Sequence, residues 1–237
     1  MKACIASYYM ENISMATVEA QYNVVKKFNA SKYPHYMVQG EMRHGHFIDY
    51  FWALNGQPTE QFKEVEPVYN FDVILFLDID CVPLSPEAID FYIKEASEGK
   101  LIGNAQRSGH IDNGDHLFAA PSAIALSKET YDKIGRPSAI ETPRSDVAEE
   151  YTWAAQQTGV DVFVTAPSKF DRAPFRYDWE TDKSPYWELR NGLPNYGLGT
   201  TYTDDKFGDV FYHNFQIRVP GEQEHFRNKC AEILSSL

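Results

Sequence analysis

The sequence predicts an α/β fold in which helices flank a mostly parallel sheet. From residue 2 to residue 165, short apolar runs typical of buried strands alternate with segments whose apolar residues recur at helical spacing. Such alternation is typical of βαβ units, whose strands run parallel. The 237-residue chain is long enough to form one domain with its own core. We therefore expect a single domain over residues 1–237, with a first half at 1–104 and a second half at 105–237.

The first half contains four predicted strands and three predicted helices. Ser85 is a suitable N-cap for the third helix, Pro86 is a suitable first residue, and Gly99 ends it. The strands are expected at residues 2–7, 36–38, 73–77 and 101–104, and the helices at residues 15–28, 45–54 and 86–98.

The second half begins with regular secondary-structure elements, and its amino-acid composition then changes. From Ala166 to Gly208, prolines and aromatic residues are interspersed, which predicts a long irregular loop of the kind that forms lids or binding surfaces. Its flat side chains suited to sugar rings or bases are Trp179, Tyr186, Trp187 and Tyr196. The regular elements expected are a strand, a turn and a second strand within 116–126, a helix capped by Ser127, a helix at 144–159, strands at 160–165 and 210–219, and a terminal helix from about residue 221.

Charge and composition argue against several classes of protein. The net charge is −12, and phosphate backbones repel a surface of that sign, so non-specific nucleic-acid binding is not expected. The three cysteines are widely spaced and form no CxxC pair, which fits a reducing compartment rather than a disulfide framework. The N-terminal apolar run is too short for a signal peptide, and no stretch reaches the ~18 apolar residues of a membrane span. We expect a cytoplasmic protein without a membrane span.

Two carboxylates stand where the predicted strand VILFL (residues 73–77) ends. Asp78 and Asp80 are two positions apart, so in an extended chain they project to the same side. Like charges so close together are unfavourable unless something neutralises them. The pair is suited to bind a divalent cation, to act in acid/base or nucleophilic chemistry, or to cap the next element. Hard cations such as Mg²⁺ and Mn²⁺ prefer such oxygen ligands together with substrate phosphates.

The segment FLDIDCVPL (residues 76–84) resembles the D-x-D motif of GT-A glycosyltransferases. The order of elements over residues 2–165, including AAPSAIALSKETYDKIG (residues 119–135), is similar to theirs. The resemblance implies a Rossmann-like GT-A fold and a metal-dependent transfer of a sugar from a nucleoside-diphosphate sugar to an acceptor hydroxyl. It further implies that residues 1–104 bind the nucleotide sugar, with a UDP-sugar as the expected donor, and that residues 105–237 form the acceptor side.

The same resemblance implies a metal site. Asp80 matches the motif's second aspartate, which binds the metal directly, and Asp78 matches the first, which contacts the ribose or the metal. His213 lies where many members of the family have a third, histidine ligand. Mn²⁺ or Mg²⁺ is expected, and an imidazole nitrogen suits Mn²⁺ better.

Donor-binding residues are expected at the ends of the first and fourth predicted strands. In the resembled family the end of the first strand contacts the nucleotide, and a tyrosine there can stack on the base. Short polar groups after the fourth strand suit sugar hydroxyls, although the same residue types also form turns. The candidates are Ser7, Tyr8 and Tyr9 for the nucleotide, and Asn104, Arg107, Asp112, Asn113, Asp115 and His116 for the sugar and the acceptor.

A catalytic carboxylate is expected in RSDVAEEYTWAAQQTG (residues 144–159). A base here would take the proton of the acceptor hydroxyl if the anomeric configuration is inverted. Asp146, Glu149 and Glu150 are the candidates, and Asp146 is the preferred one. Acidic residues in a first helical turn also interact favourably with the helix dipole, so these residues fit a structural role as well.

Two other functions are also compatible with the sequence. Asp78 and Asp80 also resemble the first motif of haloacid-dehalogenase-type phosphatases, with Asp78 as the nucleophile, Asp80 as the acid/base and Mg²⁺ as the cofactor. Against this, the motif lies 77 residues into the chain, and no lysine motif is evident. A non-catalytic sugar-binding protein is the other alternative.

The sequence is compatible with two kinds of acceptor. A carbohydrate is the general expectation, and the alternative is a hydroxymethylated base of phage DNA, with the host cytoplasm as the location. A DNA acceptor requires a basic groove, for which the candidates are Arg172, Arg176, Lys183 and Arg190.

Overall fold

A nine-stranded mixed sheet forms the centre of the described part of the chain, which in this computed structural model comprises residues 1–108, 116–171 and 198–236. Six helices pack against it. The strands are β1 (Ala3–Tyr9), β2 (His35–Gln39), β3 (Val73–Leu77), β4 (Cys81–Pro83), β5 (Leu101–Arg107), β6 (Leu117–Ser127), β7 (Val162–Phe170), β8 (Gly199–Asp204) and β9 (Gly208–Asn214). The helices are α1 (Met15–Asn29), α2 (His44–Leu54), α3 (Pro86–Ser97), α4 (Lys128–Lys133), α5 (Glu149–Thr158) and α6 (Glu222–Ser235).

The prediction of a mostly parallel sheet is wrong. The strand order is β2-β1-β3-β6-β5-β7-β8-β9-β4, and only β1–β2, β1–β3 and β5–β7 are parallel pairs. Strand β6 runs antiparallel to both β3 and β5. Only residues 108–116 separate β5 from β6, which is too short for the crossover of a dozen or more residues that parallel neighbours need.

Strand β6 is continuous from Leu117 to Ser127, where a strand, a turn and a second strand were predicted within 116–126. The pairing of β5 with β6 shifts register here: Gly103 lies opposite Ile124, whereas Asn104 lies opposite Ala120. This bulge places Pro121 outside the regular ladder, where its missing N–H is not needed. Gly103 allows the close approach, because a Cβ there would lie 2.8 Å from the Cβ of Ala119.

Three other boundaries differ from prediction. The helix expected from residue 144 begins at Glu149, because a turn between Thr142 and Ser145 and a left-handed Ala148 precede it. The strand expected over 210–219 is β9, which ends at Asn214. Both ends of the predicted 166–208 loop are strands, in β7 and β8. Its centre lies outside the described residues, together with the aromatic side chains Trp179, Tyr186, Trp187 and Tyr196.

Two apolar cores cover the two faces of the sheet, and strand β3 contributes to both. Val73, Leu75 and Leu77 join the core that includes residues of α1, α3 and α6, whereas Ile74 and Phe76 join the core that includes residues of α2, α4 and α5. Burial on both faces explains why five consecutive residues of this strand are apolar. In the described ranges, no helix has the length and apolarity that crossing a membrane requires.

Candidate metal site

The end of β3 and the strand pair β4–β9 bring three ligand side chains together. The Asp78 N–H donates to the carbonyl of Ser122 at 3.0 Å, and the Asn214 N–H donates to the carbonyl of Asp80 at 2.8 Å. Cys81 lies directly opposite His213 in the β4–β9 pair. The main chain therefore fixes a histidine that is 133 residues from Asp80 in sequence beside the two aspartates.

The distances between these three side chains suit one cation. Nε2 of His213 lies 3.3 Å from Oδ1 of Asp80 and 3.8 Å from Oδ2 of Asp78. Two ligands bound ~2.1–2.2 Å from one ion can be at most ~4.4 Å apart, so both separations fit a shared ion. Two carboxylates and an imidazole form a donor set suited to a divalent metal ion.

The charge on the site also favours a cation. Burial and the nearby charge of Asp80 raise the pKa of Asp78 to about 8. The Asp78 carboxyl thus resists ionisation in the absence of a cation. Nδ1 of His44 lies 3.1 Å from Oδ1 of Asp78. Burial lowers the pKa of His44 to about 4, so this imidazole is neutral at pH 7 and does not supply the missing positive charge.

The three side chains lie in a cleft of about 890 Å³. Ends of strands, the start of α2 and the segment before α5 form its walls. Tyr8 and Tyr9 contribute aromatic surface, and Arg43 and Arg218 contribute positive charge. Further residues lining the cleft are Met10, Asn12, Ile13, Glu41, His44, Ile79, Gln106, Pro121, Ser122, Glu141, Asp146, Val147, Phe215, Gln216 and Ile217.

Three of the predicted donor-binding residues, Ser7, Asn104 and Arg107, do not line the cleft. Ser7 is fully buried: its Oγ lies 3.0 Å from Nε2 of His35, and it accepts a hydrogen bond from Gln21. Asn104 is also fully buried. Arg107 is the last residue of β5, opposite Leu117.

Asn104 is linked to the metal site through Ser122. Its side-chain amide donates to Oγ of Ser122 at 3.0 Å, and its carbonyl oxygen accepts from Tyr92 and Thr165. The Ser122 carbonyl in turn accepts the N–H of Asp78. Asp112, Asn113 and Asp115 lie outside the described residues.

The three candidate catalytic carboxylates have different surroundings. Glu149 is fully buried and accepts from Oγ of Ser108 and from the Asp146 N–H, each at 2.8 Å, while Nδ1 of His116 also contacts it. These contacts stabilise the start of α5. Glu150 pairs with Arg144 at 2.6 Å, and this interaction lowers the pKa of Glu150. Of the three, Asp146 alone is among the residues that line the cleft.

His44 was not among the predicted site residues, although it lies 3.1 Å from Asp78. The predicted helix began one residue later, at Gly45, and left His44 in a loop. The cluster RHGH at residues 43–46 was the available signal, because histidines at a helix start beside a strand end are placed to meet the active edge of an α/β sheet.

No family model and no curated protein matches the chain. Solved structures that match it include a glycosyltransferase involved in the glycosylation of the major capsid of PBCV-1, at 12% identity over 95% of this chain and 99% of that one, with a TM-score of 0.49. The galactosyltransferase LgtC in complex with donor and acceptor sugar analogs matches at 10% identity over 98% and 95%, with a TM-score of 0.43.

A putative nucleotide-diphospho-sugar transferase from Desulfovibrio desulfuricans G20 matches at 10% identity over 70% of this chain and 80% of that one, with a TM-score of 0.41. Glycosyltransferases and nucleotide-sugar transferases are thus among the structures to which this chain is similar. At these identities and TM-scores, the similarity assigns neither a substrate nor a residue role to this chain.

Proposed function

We propose that the chain is a metal-dependent glycosyltransferase that moves a sugar from a nucleoside-diphosphate sugar to an acceptor hydroxyl. The observation that carries the proposal is the convergence of Asp78, Asp80 and His213 on the surface of a cleft of about 890 Å³. The volume lies at the upper end of the range of small-molecule sites, which accommodates an extended ligand such as a sugar nucleotide.

The three side chains hold the cation that binds the diphosphate. When bound, Mn²⁺ or Mg²⁺ supplies Lewis acidity that stabilises negative charge on a departing phosphate oxygen. Asp80 and His213, both nearly buried, fix two ligand positions, and Asp78 supplies the third. Arg218 supplies further positive charge for the phosphates.

Tyr8 and Tyr9 bind the nucleotide at the end of β1. Both residues line the cleft, and the Tyr8 ring is fixed by a hydrogen bond from its hydroxyl to the Met42 carbonyl and by stacking on Phe47. The flat face of a tyrosine ring is suited to stack on a nucleobase. We expect this base to be the uracil of a UDP-sugar. In this proposal Ser7 and Asn104 support the cleft through their buried hydrogen bonds.

Asp146 is the proposed base if the reaction inverts the sugar. It lines the same cleft as the three proposed metal ligands, in the segment before α5, and a base for a bound acceptor hydroxyl is needed in that cleft. Glu149 and Glu150 hold this segment in place through the contacts described above. A carbohydrate is the proposed acceptor, because the net charge of −12 disfavours DNA. The candidate basic residues Arg172, Arg176, Lys183 and Arg190 lie outside the described residues.

A thermal-shift panel tests the proposal. Nucleoside diphosphates and sugar nucleotides are each added with Mn²⁺, with Mg²⁺ or with EDTA. A ligand at 100 times its Kd stabilises the native state by ~2.7 kcal/mol, or roughly 5–10 °C for a chain of this size. We expect one nucleoside diphosphate to give such a shift only with metal. Asp80→Asn should abolish the shift, and Asp161→Asn, which removes an exposed carboxylate outside the cleft, should retain it.

The same panel distinguishes the phosphatase alternative. If no nucleotide shifts the melting temperature while Mg²⁺ with a phosphate analogue does, the transferase proposal is wrong and Asp78 becomes the expected nucleophile. Arg43 and Arg218, rather than a lysine, are the cations among the described residues of the cleft, which favours the transferase.

A further inference from the structure

Gln106 contributes an uncharged polar side chain to the wall of the cleft. It is the last but one residue of β5, it is partly buried, and it lines the same cleft as Asp78 and Asp80. Within residues 1–108, 116–171 and 198–236, no hydrogen bond of its side-chain amide is found. The amide is therefore available to a ligand bound in the cleft.

The main chain holds Gln106 in a defined place. It lies opposite Phe118 in the regular part of the β5–β6 pair, beyond the bulge between Gly103 and Asn104. Asn12 and Gln216, the other described residues with amide side chains that line the cleft, lie in turns instead. Side chains presented by strands are positioned more precisely than those on loops. Gln106 is thus the best-placed amide of the described cleft lining.

Strand β5 also relates Gln106 to the metal site. Asn104 and Gln106 are two positions apart, so their side chains project to the same face of the sheet, about 7 Å from one another along the strand. Asn104 donates to Oγ of Ser122 at 3.0 Å, and the Ser122 carbonyl accepts the N–H of Asp78. Gln106 is therefore one step along β5 from the residue that connects this strand to the metal ligands. In a sugar nucleotide the sugar is likewise attached beyond the metal-bound diphosphate.

The chemistry of an amide matches that of a sugar hydroxyl. The side-chain carbonyl of Gln106 accepts hydrogen bonds and its NH₂ group donates them, and a hydroxyl can do both as well. Because the amide is uncharged, it adds no charge attraction for phosphates, which the cation and Arg218 provide in the proposed function. The free amide of Gln106 therefore fits the sugar part of the donor better than its diphosphate.

We propose that Gln106 binds a hydroxyl of the sugar that is transferred. The proposal rests on the proposed function and adds to it a residue that recognises the sugar of the donor. Its effect is confined to ligands that contain the sugar, and it is exerted before any acceptor binds.

Calorimetric titration of the full chain in saturating Mn²⁺ tests this role. UDP and its glucose and galactose conjugates are the probes; if the thermal-shift panel selects another base, the same three ligands contain that base. Gln106→Met removes the amide and keeps a side chain of similar length. We expect the tighter-binding conjugate to lose about 3- to 10-fold in affinity, which is the usual contribution of one neutral hydrogen bond. The affinity for UDP should stay within about twofold of wild type.

Gln156→Met is the matched control, because it makes the same substitution at an exposed position of α5 that does not line the cleft; it should leave all three affinities unchanged. An equal loss for UDP and its conjugates in Gln106→Met, or no loss for any of them, would overturn the role of Gln106. So would a higher KM for the acceptor with unchanged donor affinity, or a wild-type protein that binds UDP but neither conjugate. A wild-type protein that binds no nucleoside diphosphate with Mn²⁺ would instead overturn the transferase proposal itself.

Discussion

At the scale of single residues, the surroundings of a side chain decide what it does at this site. Asp78 and Asp80 are two positions apart, yet Asp78 also contacts His44, whereas Asp80 is nearly buried beside His213. Burial and the charge of Asp80 raise the pKa of Asp78 to about 8. Between pH ~4 and ~8 the metal-free native state holds a proton that the unfolded chain has released, so this group lowers stability as the pH rises through that window.

Metal binding is therefore expected to depend on pH. A cation that binds ionised Asp78 must displace its proton, so Mn²⁺ affinity should rise about tenfold per pH unit from pH 6.5 to 8 and then level off. Titrations in buffers of different ionisation enthalpy should detect about one proton released per Mn²⁺ at pH 6.5.

Asp78→Asn is the control for that pH dependence, because an amide has no proton to lose. It should bind Mn²⁺ more weakly, with a flat profile between pH 7 and 8. A wild-type affinity that does not change between pH 6.5 and 8 would contradict the assignment of Asp78 as a ligand that ionises on binding.

Site residues that are neighbours in sequence could be predicted together. Site residues that are distant in sequence and meet only in the folded chain were harder to predict. Asp78 and Asp80 follow a strand directly, so their common side is a property of local geometry. His44 contacts Asp78 across 34 residues, and the local RHGH cluster does not show which residue His44 meets. Ser7 and Asn104 are polar residues in strands near the expected site, but both face the interior, where hydrogen bonds satisfy them.

At the scale of elements, the start of α2 links the metal site to the segment that contains Asp146. Gly45 packs against the main chain at Ala139 and Ile140, where a Cβ would lie 2.5 Å from an oxygen and 2.8 Å from a Cα. Asp49 of the same helix accepts from the Ala139 N–H at 2.8 Å and from Ser138. The segment that leads to α5 is thus positioned by α2.

Gly45→Ala distinguishes this packing from simple helix propensity. Propensity alone predicts that alanine stabilises a helix by ~1 kcal/mol, whereas overpacking against main-chain atoms destabilises by ~1–3 kcal/mol. We expect a net loss of unfolding free energy in urea denaturation. A gain in stability would show that the contact is loose and would contradict the proposed link.

Element types were more predictable than their boundaries and directions. The start of α1 at Met15 follows from helical periodicity, and that of α3 at Pro86 from periodicity and the proline itself, since the Ser85 side chain makes no capping hydrogen bond. The direction of β6 and its passage through Pro121 depend on pairing with β3 and β5, which local sequence does not encode. Strands within 166–208 were missed because proline and aromatic content suggested a loop.

At the scale of the whole molecule, two cores support a sheet whose strand ends form one cleft. Helices cover both faces of β3, so the polar residues that follow Leu77 emerge where that cover ends. The C-terminal part of the chain returns through β9 to pair with β4 and supplies His213. The site therefore needs both halves of the chain, and the sequence division at residue 104 does not separate metal binding from the rest.

Metal-dependent release of nucleoside diphosphate from a sugar nucleotide tests the central claim most directly. The donor is the one that stabilises the protein most, water or an added carbohydrate serves as acceptor, and Mn²⁺ is compared with EDTA. We expect release with Mn²⁺, none above background with EDTA, and a loss of at least ~100-fold in Asp80→Asn, with Asp161→Asn unchanged. Release that persists in EDTA or in Asp80→Asn would contradict a role for Asp78, Asp80 and His213 in holding the catalytic cation.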